Sequence, residues 1–248
     1  MSSETKFLLA IEDLTVSFDG FKAVDSLNLY IDKNELRVII GPNGAGKTTV
    51  LDMVCGKTRP TGGSIKFKNH ELIGMAEHKI VQAGVGRKFQ TPSIYENLTV
   101  FENLEVSYPK GRTVFGCLAF ERSDDVISRI QKVAQEIFLD GYLEVEGAFL
   151  SHGQKQWLEI GMLLMQEPDL IMLDEPVAGM SASEREQTAE LLKRICKGRS
   201  IIIIEHDMEF VSRIAHKVTV LHLGKILAEG TMQEVQNNPS VVDVYLGH

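Results

Sequence analysis

The sequence Gly41-Pro42-Asn43-Gly44-Ala45-Gly46-Lys47-Thr48-Thr49 follows the apolar run Val38–Ile40 and precedes the apolar-rich stretch Val50–Val54. This order predicts a strand, a glycine-rich turn and a helix. Glycine has no Cβ, so the backbone N–H groups of the turn can curl around an anion. The helix N-terminus adds partial positive charge at the same place. The pattern G-x-x-x-x-G-K-T in this context therefore predicts a nucleoside-triphosphate site.

Two side chains of this turn have separate expected roles. Lys47 supplies a full positive charge for the β- and γ-phosphates, and the Thr48 hydroxyl is placed to ligate Mg²⁺. A chance glycine-rich turn would match the bare pattern but not its place between a strand and a helix. The predicted nucleotide-binding residues of the turn are Gly41, Pro42, Asn43, Gly44, Ala45, Gly46, Lys47, Thr48 and Thr49.

Composition limits the possible classes of protein. The chain has 248 residues, 44% of them hydrophobic, which is typical of a globular protein with a substantial core. Its formal net charge of −8 argues against a broad nucleic-acid surface. Three scattered cysteines, Cys55, Cys117 and Cys196, suggest reduced thiols rather than a metal site. We see no signal-peptide pattern and no apolar run of about 20 residues, so a membrane role would work through a partner.

An acidic pair follows the continuous apolar run Leu170–Leu173, which predicts a buried parallel strand. Asp174, at the carboxyl end of this strand, can hold Mg²⁺ directly or through water. Glu175 then lies where the γ-phosphate is expected, and can orient and polarise the attacking water. The alternative is a solvated turn. The preceding buried strand and the upstream phosphate loop argue against it.

Three further side chains have weaker individual signals. His206 follows the buried run Ile201–Ile204, so a parallel sheet would bring it to the phosphate-loop edge, where it can bond the γ-phosphate. Gln90 ends the predicted strand 85–90 and can contact Mg²⁺ or the attacking water. Phe18, before a turn, can stack on adenine. A core or turn aromatic fits Phe18 equally well. His206 alone would more often be a capping or core histidine, but the other strand ends already assigned favour its functional role. Gln90 alone would be unremarkable.

A second helix N-terminus has the character of an anion site. Ser151 and Gln154 have the S-x-x-Q spacing of a capping box, and Gly153 lies between them. Since the chain already has one such site, a second suggests two molecules that each cover the other's nucleotide. Simple helix capping is the alternative. The apolar stripe of this helix consists of Trp157, Ile160, Leu164 and Met165.

The remaining pattern predicts one α/β domain over 1–248, with a helical lobe over about 95–165. The other predicted elements are strands at 7–17, 23–31, 36–40 and 64–68, a helix at 77–82, a helix from about Ser183 to Gly198 with Ser183 and Glu186 at capping-box spacing, a hairpin of 218–223 with 226–229, and a helical tail, 232–246.

A set of ordered motifs together resembles the ATP-binding subunit of ABC transporters. They are Gly41–Thr49, Gln90, Leu150–Gln154, Leu170–Asp174 with Glu175, and His206. The resemblance implies a P-loop NTPase (RecA-like) α/β core, an antiparallel β lobe and an inserted α-helical lobe, the ABC ATPase fold. It also implies hydrolysis of ATP with Mg²⁺.

The same resemblance implies partners. Two ATPase subunits, of the same or a paralogous chain, would pair head to tail, with Phe18 under adenine and Ser151, Gly153 and Gln154 completing the partner's site. Two integral-membrane permease subunits would hold the pair at the cytoplasmic face of the membrane, with contacts near Gln90. An external solute-binding protein would act indirectly, and no nucleic acid is expected.

Finer likeness points to importers. Segments 84–90, 99–104 and 245–248 resemble the group that imports branched-chain amino acids, amides and urea, and 150–181 most resembles the urea-importer ATPase. Two departures stand out. His152 replaces the usual signature glycine, so its side chain must point away from phosphate. The run 177–181 lacks the aspartate common there, so Ser181 receives no catalytic role.

Three other functions compete with an import motor. An ABC-type ATPase acting on nucleic acid or the ribosome would need tandem units, a coiled coil or zinc-binding cysteines, which the sequence lacks. A nucleotide-gated scaffold without hydrolysis would be expected to lose Glu175. An exporter ATPase would share all these motifs, so the direction of transport stays open.

Overall fold

The computed structural model describes residues 7–88, 93–109 and 122–246. Its strands are β1 (Leu9–Phe18), β2 (Phe21–Ile31), β3 (Leu36–Ile40), β4 (Gly62–Phe67), β5 (His70–Glu71), β6 (Val85–Lys88), β7 (Leu170–Asp174), β8 (Ser200–Ile204), β9 (Lys217–His222) and β10 (Lys225–Gly230). Its helices are α1 (Lys47–Val54), α2 (Glu77–Gln82), α3 (Val100–Val106), α4 (Asp124–Glu136), α5 (His152–Met165), α6 (Ala182–Ile195), α7 (Met208–Ile214), α8 (Met232–Gln236) and α9 (Pro239–Leu246). Short 3-10 turns lie at Asp140–Tyr142 and Gly147–Phe149.

The strands form two sheets of different character. An antiparallel sheet has the order β2-β1-β4-β5, and a mixed sheet has the order β10-β9-β3-β8-β7-β6. In the mixed sheet, β3 pairs in parallel with β8 and β9, and β7 pairs in parallel with β8. Strands β3, β7 and β8 are buried along their whole length, as continuous apolar runs predict for strands covered on both faces.

The register of the parallel strands determines where their carboxyl ends lie. Ile39 of β3 is level with Ile204 of β8, which is level with Asp174 of β7. The glycine-rich turn follows β3, Glu175 follows β7, and His206 comes two residues after β8. All three therefore leave the sheet from the same edge.

The chain divides into two compact units. The first comprises 1–87, 169–175 and 192–248, and the second comprises 88–168 and 176–191, a range that includes the predicted lobe of 95–165. In the first unit, one hydrophobic cluster combines β1, β2 and β4 with α1 and with the buried faces of β3, β7 and β8. The phosphate-loop helix α1 is thus packed by its apolar residues into the core of this unit.

The second unit is built on the packing of α3, α4 and α5. Gly161 of α5 permits this approach, because a Cβ there would lie 2.5 Å from Ile137 and 3.0 Å from Leu104. The predicted stripe of α5 is confirmed, since Trp157, Ile160, Leu164 and Met165 are all buried. None of the helices in the described ranges combines the length and apolar character needed to span a bilayer.

Several predicted elements need correction. The helix predicted from about Ser183 to Gly198 is Ala182–Ile195, and its reciprocal cap is Ser181 with Glu184 rather than Ser183 with Glu186. The tail is two helices rather than one, because Pro239 starts α9 after the break at 237–238. Helix α7, capped by the Asp207 side chain, was not predicted.

Candidate nucleotide site

A cavity of about 380 Å³ opens at the carboxyl edge of the parallel strands in the first unit. Its walls come from the β1–β2 hairpin, the glycine-rich turn, the start of α1 and the ends of β7 and β8. The lining residues are Phe18, Phe21, Ala23, Asn43, Gly44, Ala45, Gly46, Lys47, Thr48, Thr49, Glu175, Ile204 and His206. Most of the predicted phosphate loop thus faces one space.

The turn itself is held by backbone geometry that requires glycine. Gly46 has φ 99° and caps α1, and a Cβ there would lie 2.5 Å from the Ala23 carbonyl oxygen. No side chain of the described residues caps this terminus. The first N–H groups of α1 are consequently directed toward the cavity without a side-chain acceptor, as an anion site needs.

Lys47 is the cation of the site and is only 7% exposed. Its Nζ donates to the carbonyl oxygens of Gly41 at 2.8 Å and Pro42 at 2.9 Å, which holds the side chain back along the turn. Burial lowers the pKa of Lys47, and the nearby carboxylates of Asp174 and Glu175 oppose this shift. Gly41 and Pro42 therefore contribute to the site through their carbonyl groups rather than by lining the cavity.

Asp174 lies beside the start of α1. The Thr48 hydroxyl donates to Asp174 Oδ2 at 3.2 Å. Burial raises the pKa of Asp174, while the Thr48 hydrogen bond acts in the opposite direction. A hydroxyl and a carboxylate oxygen are ligands that Mg²⁺ takes in proteins. Together with the buried ammonium of Lys47 and the uncapped N-terminus of α1, they fit a magnesium-bound phosphate chain.

Glu175 and His206 face the same cavity from neighbouring strand ends. The Nε2 atom of His206 lies 3.2 Å from Oε1 of Glu175. Glu175 has φ 47°, a conformation that few non-glycine residues adopt, and its N–H donates to the Ile204 carbonyl oxygen at 3.0 Å. This hydrogen bond fixes the turn after β7 to the end of β8, so the carboxylate is held next to the imidazole.

Two aromatic side chains flank the cavity on the β1–β2 hairpin. Phe18 and Phe21 are paired across the turn and are 50% and 65% exposed. Exposed rings beside a polar cavity are suited to stacking on a planar base. The sequence analysis selected Phe18 but not Phe21. Phe21 could have been noticed, because it lies directly across the Asp19-Gly20 turn from Phe18.

The second unit contains the other predicted nucleotide-binding residues. Ser151 caps α5: its Oγ accepts from Gln154 N at 3.2 Å, and Gln154 Oε1 accepts from Ser151 N at 2.9 Å. The predicted capping box is thus present with both hydrogen bonds. His152 Nε2 lies 3.0 Å from the Ala178 carbonyl oxygen, so its ring is bonded to the chain rather than free. Gly153 is buried in the first turn of α5.

The structure brings together Lys47, Thr48, Asp174, Glu175 and His206 with the rest of the loop. The prediction for Gln90 lies outside the described residues. The sequence analysis did not select Arg87, which donates to Asp52 Oδ1 at 2.6 Å and whose positive charge acts to lower the pKa of Asp174. Its position could have been noticed, because Arg87 lies in β6, the edge strand next to β7.

Comparisons with known proteins give a consistent family. The model described as ABC transporter matches residues 24–178, and the model for branched-chain amino acid ATP-binding cassette transporters matches 225–248. The high-affinity branched-chain amino acid transport ATP-binding protein BraF of Pseudomonas aeruginosa is 34% identical, over 97% of this chain and 98% of the relative. LivG of Escherichia coli, which carries the same description, is also 34% identical over the same shares.

A solved structure agrees with these relatives. The ADP conformation of an ATP-binding cassette from an ABC transporter has a TM-score of 0.86 and 29% identity, over 98% of this chain and 100% of that one. The predicted fold, a P-loop ABC ATPase with mixed sheets and helices, is confirmed. The chain belongs to the ATP-binding subunits of ABC transporters, of the branched-chain amino acid type, which are ATPases that use ATP and Mg²⁺.

Proposed function

We propose that this chain is the motor subunit of an importer for a small polar solute. The observation that supports this best is the meeting of Lys47, Thr48, Asp174, Glu175 and His206 at one sheet edge, around one cavity. Phosphoryl transfer from ATP to water requires a cation for the phosphates, a hydroxyl and a carboxylate for Mg²⁺, and a second carboxylate for the attacking water.

The loop residues and α1 bind the phosphates in this proposal. Lys47 exchanges its bonds to the Gly41 and Pro42 carbonyls for phosphate oxygens. Thr48 and Asp174 hold Mg²⁺, with Gln90 as a further ligand, and the bound ion neutralises charge on the phosphates. Phe18 stacks on the adenine, and Phe21, paired with it across the turn, also lines the cavity.

Glu175 is the general base in this proposal. Its carboxylate orients the attacking water and accepts its proton, while His206 donates a hydrogen bond to the γ-phosphate. Both side chains line the cavity, and the imidazole would exchange its 3.2 Å contact with Glu175 for a phosphate oxygen when ATP binds. Gln90 completes the arrangement as the neutral amide that senses Mg²⁺ or the water.

A second subunit completes each site. Ser151, Gly153 and Gln154 contact the γ-phosphate bound by a partner, which is either a second copy or a paralogous chain. In support, Ser151 lies exposed at the N-terminus of α5, and a helix N-terminus favours an anion. Two permease subunits hold the pair at the cytoplasmic face of the membrane and contact the region of Gln90, and the whole chain, 1–248, acts as one ATP-binding domain.

The solute is a separate proposal, since it never touches this subunit. Urea or a short amide is favoured by the likeness of 150–181 to urea-importer ATPases. A branched-chain amino acid is the second candidate, supported by the names of the relatives BraF and LivG and by the match at 225–248. Relatives that are one-third identical allow either solute.

Growth of a deletion strain tests the proposed import. The strain is supplied with low concentrations of urea, a short amide or a branched-chain amino acid as nitrogen source, and is complemented with the wild-type gene or with Glu175→Gln. We expect growth on one solute to need the wild type, with Glu175→Gln failing. Equal growth of the deletion and complemented strains on all three solutes would reject import.

A further inference from the structure

Glu184 connects two helix N-termini of the second unit. Its Oε2 atom accepts from Ser181 N at 2.9 Å and from Ser181 Oγ at 2.8 Å, which caps α6. Its Oε1 atom accepts from Ser151 Oγ at 3.2 Å, which is the cap of α5. One carboxylate therefore holds both serines, and the proposed phosphate-binding hydroxyl of Ser151 has its proton directed at it.

The carboxylate also lies against the first turn of α5. A Cβ built on Gly153 would be 2.3 Å from Glu184 Oε1 and 2.6 Å from Glu184 Cδ. A side chain at this position would displace the Glu184 carboxylate from the first turn of α5, so Gly153 leaves room for the carboxylate in its present place. The negative group occupies the positive end of the helix, where an incoming anion would bind.

This placement conflicts with phosphate binding. If Ser151 and Gly153 contact a partner's γ-phosphate, as the proposed function requires, the phosphate and the Glu184 carboxylate compete for the same donor. Because both groups are negatively charged, a phosphate bonded to Ser151 and the Glu184 carboxylate would also repel each other. The carboxylate must turn away from Ser151 before the second subunit can close.

We propose that Glu184 is a positioning residue that holds Ser151 in a resting arrangement and releases it when the partner's nucleotide arrives. This inference rests on the proposed two-subunit function. The same side chain caps Ser181, the last residue of the run that follows Glu175 and Pro176. Movement of Glu184 therefore links phosphate binding at the N-terminus of α5 to the run 177–181, which lacks the aspartate common in the family.

A simple capping role makes a different prediction, and the chain provides the means to separate the two. At α5, the neutral amide of Gln154 makes the same reciprocal cap with Ser151 that Glu184 makes with Ser181. Glu184→Gln should thus keep α6 capped but remove the charge. Capping alone predicts no effect on association, whereas repulsion of phosphate predicts tighter association.

The test measures ATP-dependent dimerisation of the full chain by analytical ultracentrifugation, alone and mixed with any paralogous ATPase subunit encoded beside it. The background is Glu175→Gln, so that ATP persists. We expect Glu184→Gln to lower the dimer dissociation constant by at least about tenfold. Glu186→Gln, which removes an exposed charge from the same helix, should leave that constant unchanged.

The outcomes separate the two proposals. If the Glu175→Gln parent dimerises with ATP and Glu184→Gln does not tighten it, the role of Glu184 is rejected and the two-subunit site stands. If the parent does not associate under either condition, the two-subunit site is rejected, and the role of Glu184 with it. Thermal unfolding of each variant without nucleotide verifies that the caps are retained.

Discussion

The Nε2 atom of His206 lies 3.2 Å from Oε1 of Glu175, and each residue follows a different strand of the parallel sheet. The backbone N–H of Glu175 is bonded to Ile204 at the end of β8, so both side chains are positioned by the same strand end. The contact brings a hydrogen-bond donor and a carboxylate to one side of the cavity. Glu175 and His206 are far apart in the sequence. They meet because β7 and β8, the strands that they follow, are parallel neighbours.

Replacing Glu175 by glutamine should abolish hydrolysis while preserving ATP binding. The amide keeps the size of the side chain but cannot accept the proton of the attacking water, so we expect kcat to fall by about 10²–10⁴-fold. Phosphate release measures turnover, and fluorescent-nucleotide titration measures affinity. Glu77→Gln, on the exposed side of α2, is the matched control. Normal turnover of Glu175→Gln would require a different base.

Replacing Lys47 by alanine should weaken ATP binding. The ammonium is buried at the turn and bonded to the carbonyls of Gly41 and Pro42, where phosphate oxygens would replace them. Loss of a buried, charged hydrogen-bond partner costs roughly 2–5 kcal/mol, so the Kd should rise by at least about 30-fold. Calorimetric titration measures this, with exposed Lys79→Ala as control. Affinity near that of the wild type would contradict the phosphate-loop role.

Replacing Ser151 by arginine should separate binding from hydrolysis. Ser151 is exposed at the cap of α5, so the long side chain is accommodated by a single subunit but obstructs a second one. We expect unchanged ATP affinity of the monomer and loss of most ATPase activity. Ser128→Arg, at an exposed position of α4, should keep full activity. Unaltered ATPase activity of Ser151→Arg would remove the argument for a second-subunit site.

Sequence reasoning succeeded where the signal was local. The turn between Ile40 and Lys47 is specified by glycine positions and by its flanking apolar runs, and the structure has it there. The cap of α5 needs only Ser151 and Gln154, three residues apart, and both hydrogen bonds form. Such signals depend on the backbone of one segment, so no knowledge of the tertiary fold is required.

Prediction from the sequence failed where two neighbouring segments carry the same local pattern and only tertiary contacts distinguish them. The S-x-x-E spacing occurs twice, at Ser181 with Glu184 and at Ser183 with Glu186, and the sequence offers no preference between them. In the structure Glu184 also bonds Ser151, a residue 33 positions away. That long-range contact selects the first pair, and a local pattern cannot contain it.

Acid should destabilise the protein partly through two other capping glutamates. Hydrogen bonds from Thr99 lower the pKa of Glu102, and those from Thr231 lower the pKa of Glu234, both below the ordinary 4.5. A carboxyl with a depressed folded-state pKa stabilises the fold above its unfolded pKa and loses this contribution as the pH falls through the folded pKa. Glu102→Gln combined with Glu234→Gln should thus flatten the pH dependence of stability.

Urea unfolding midpoints at pH 7, 5 and 4 measure this dependence. The wild type should lose stability toward pH 4 more steeply than the double variant, which keeps its caps because glutamine serves in the same position at α5. Glu77→Gln should follow the wild type. Parallel curves for the double variant and the wild type would show that these carboxylates do not contribute.

The second unit should depend on a buried hydrogen bond between Trp157 and Thr188. The indole Nε1 donates to Thr188 Oγ1 at 2.8 Å, and Thr188 is fully buried. Thr188→Val keeps the volume but leaves the indole N–H without this acceptor, so the free energy of unfolding should fall by about 1–3 kcal/mol. Circular dichroism during urea unfolding measures the change. Adding Trp157→Phe removes the donor as well, and the double variant should then lose less than the sum of the single losses. Strictly additive losses would mean that the two side chains stabilise the unit independently of their hydrogen bond.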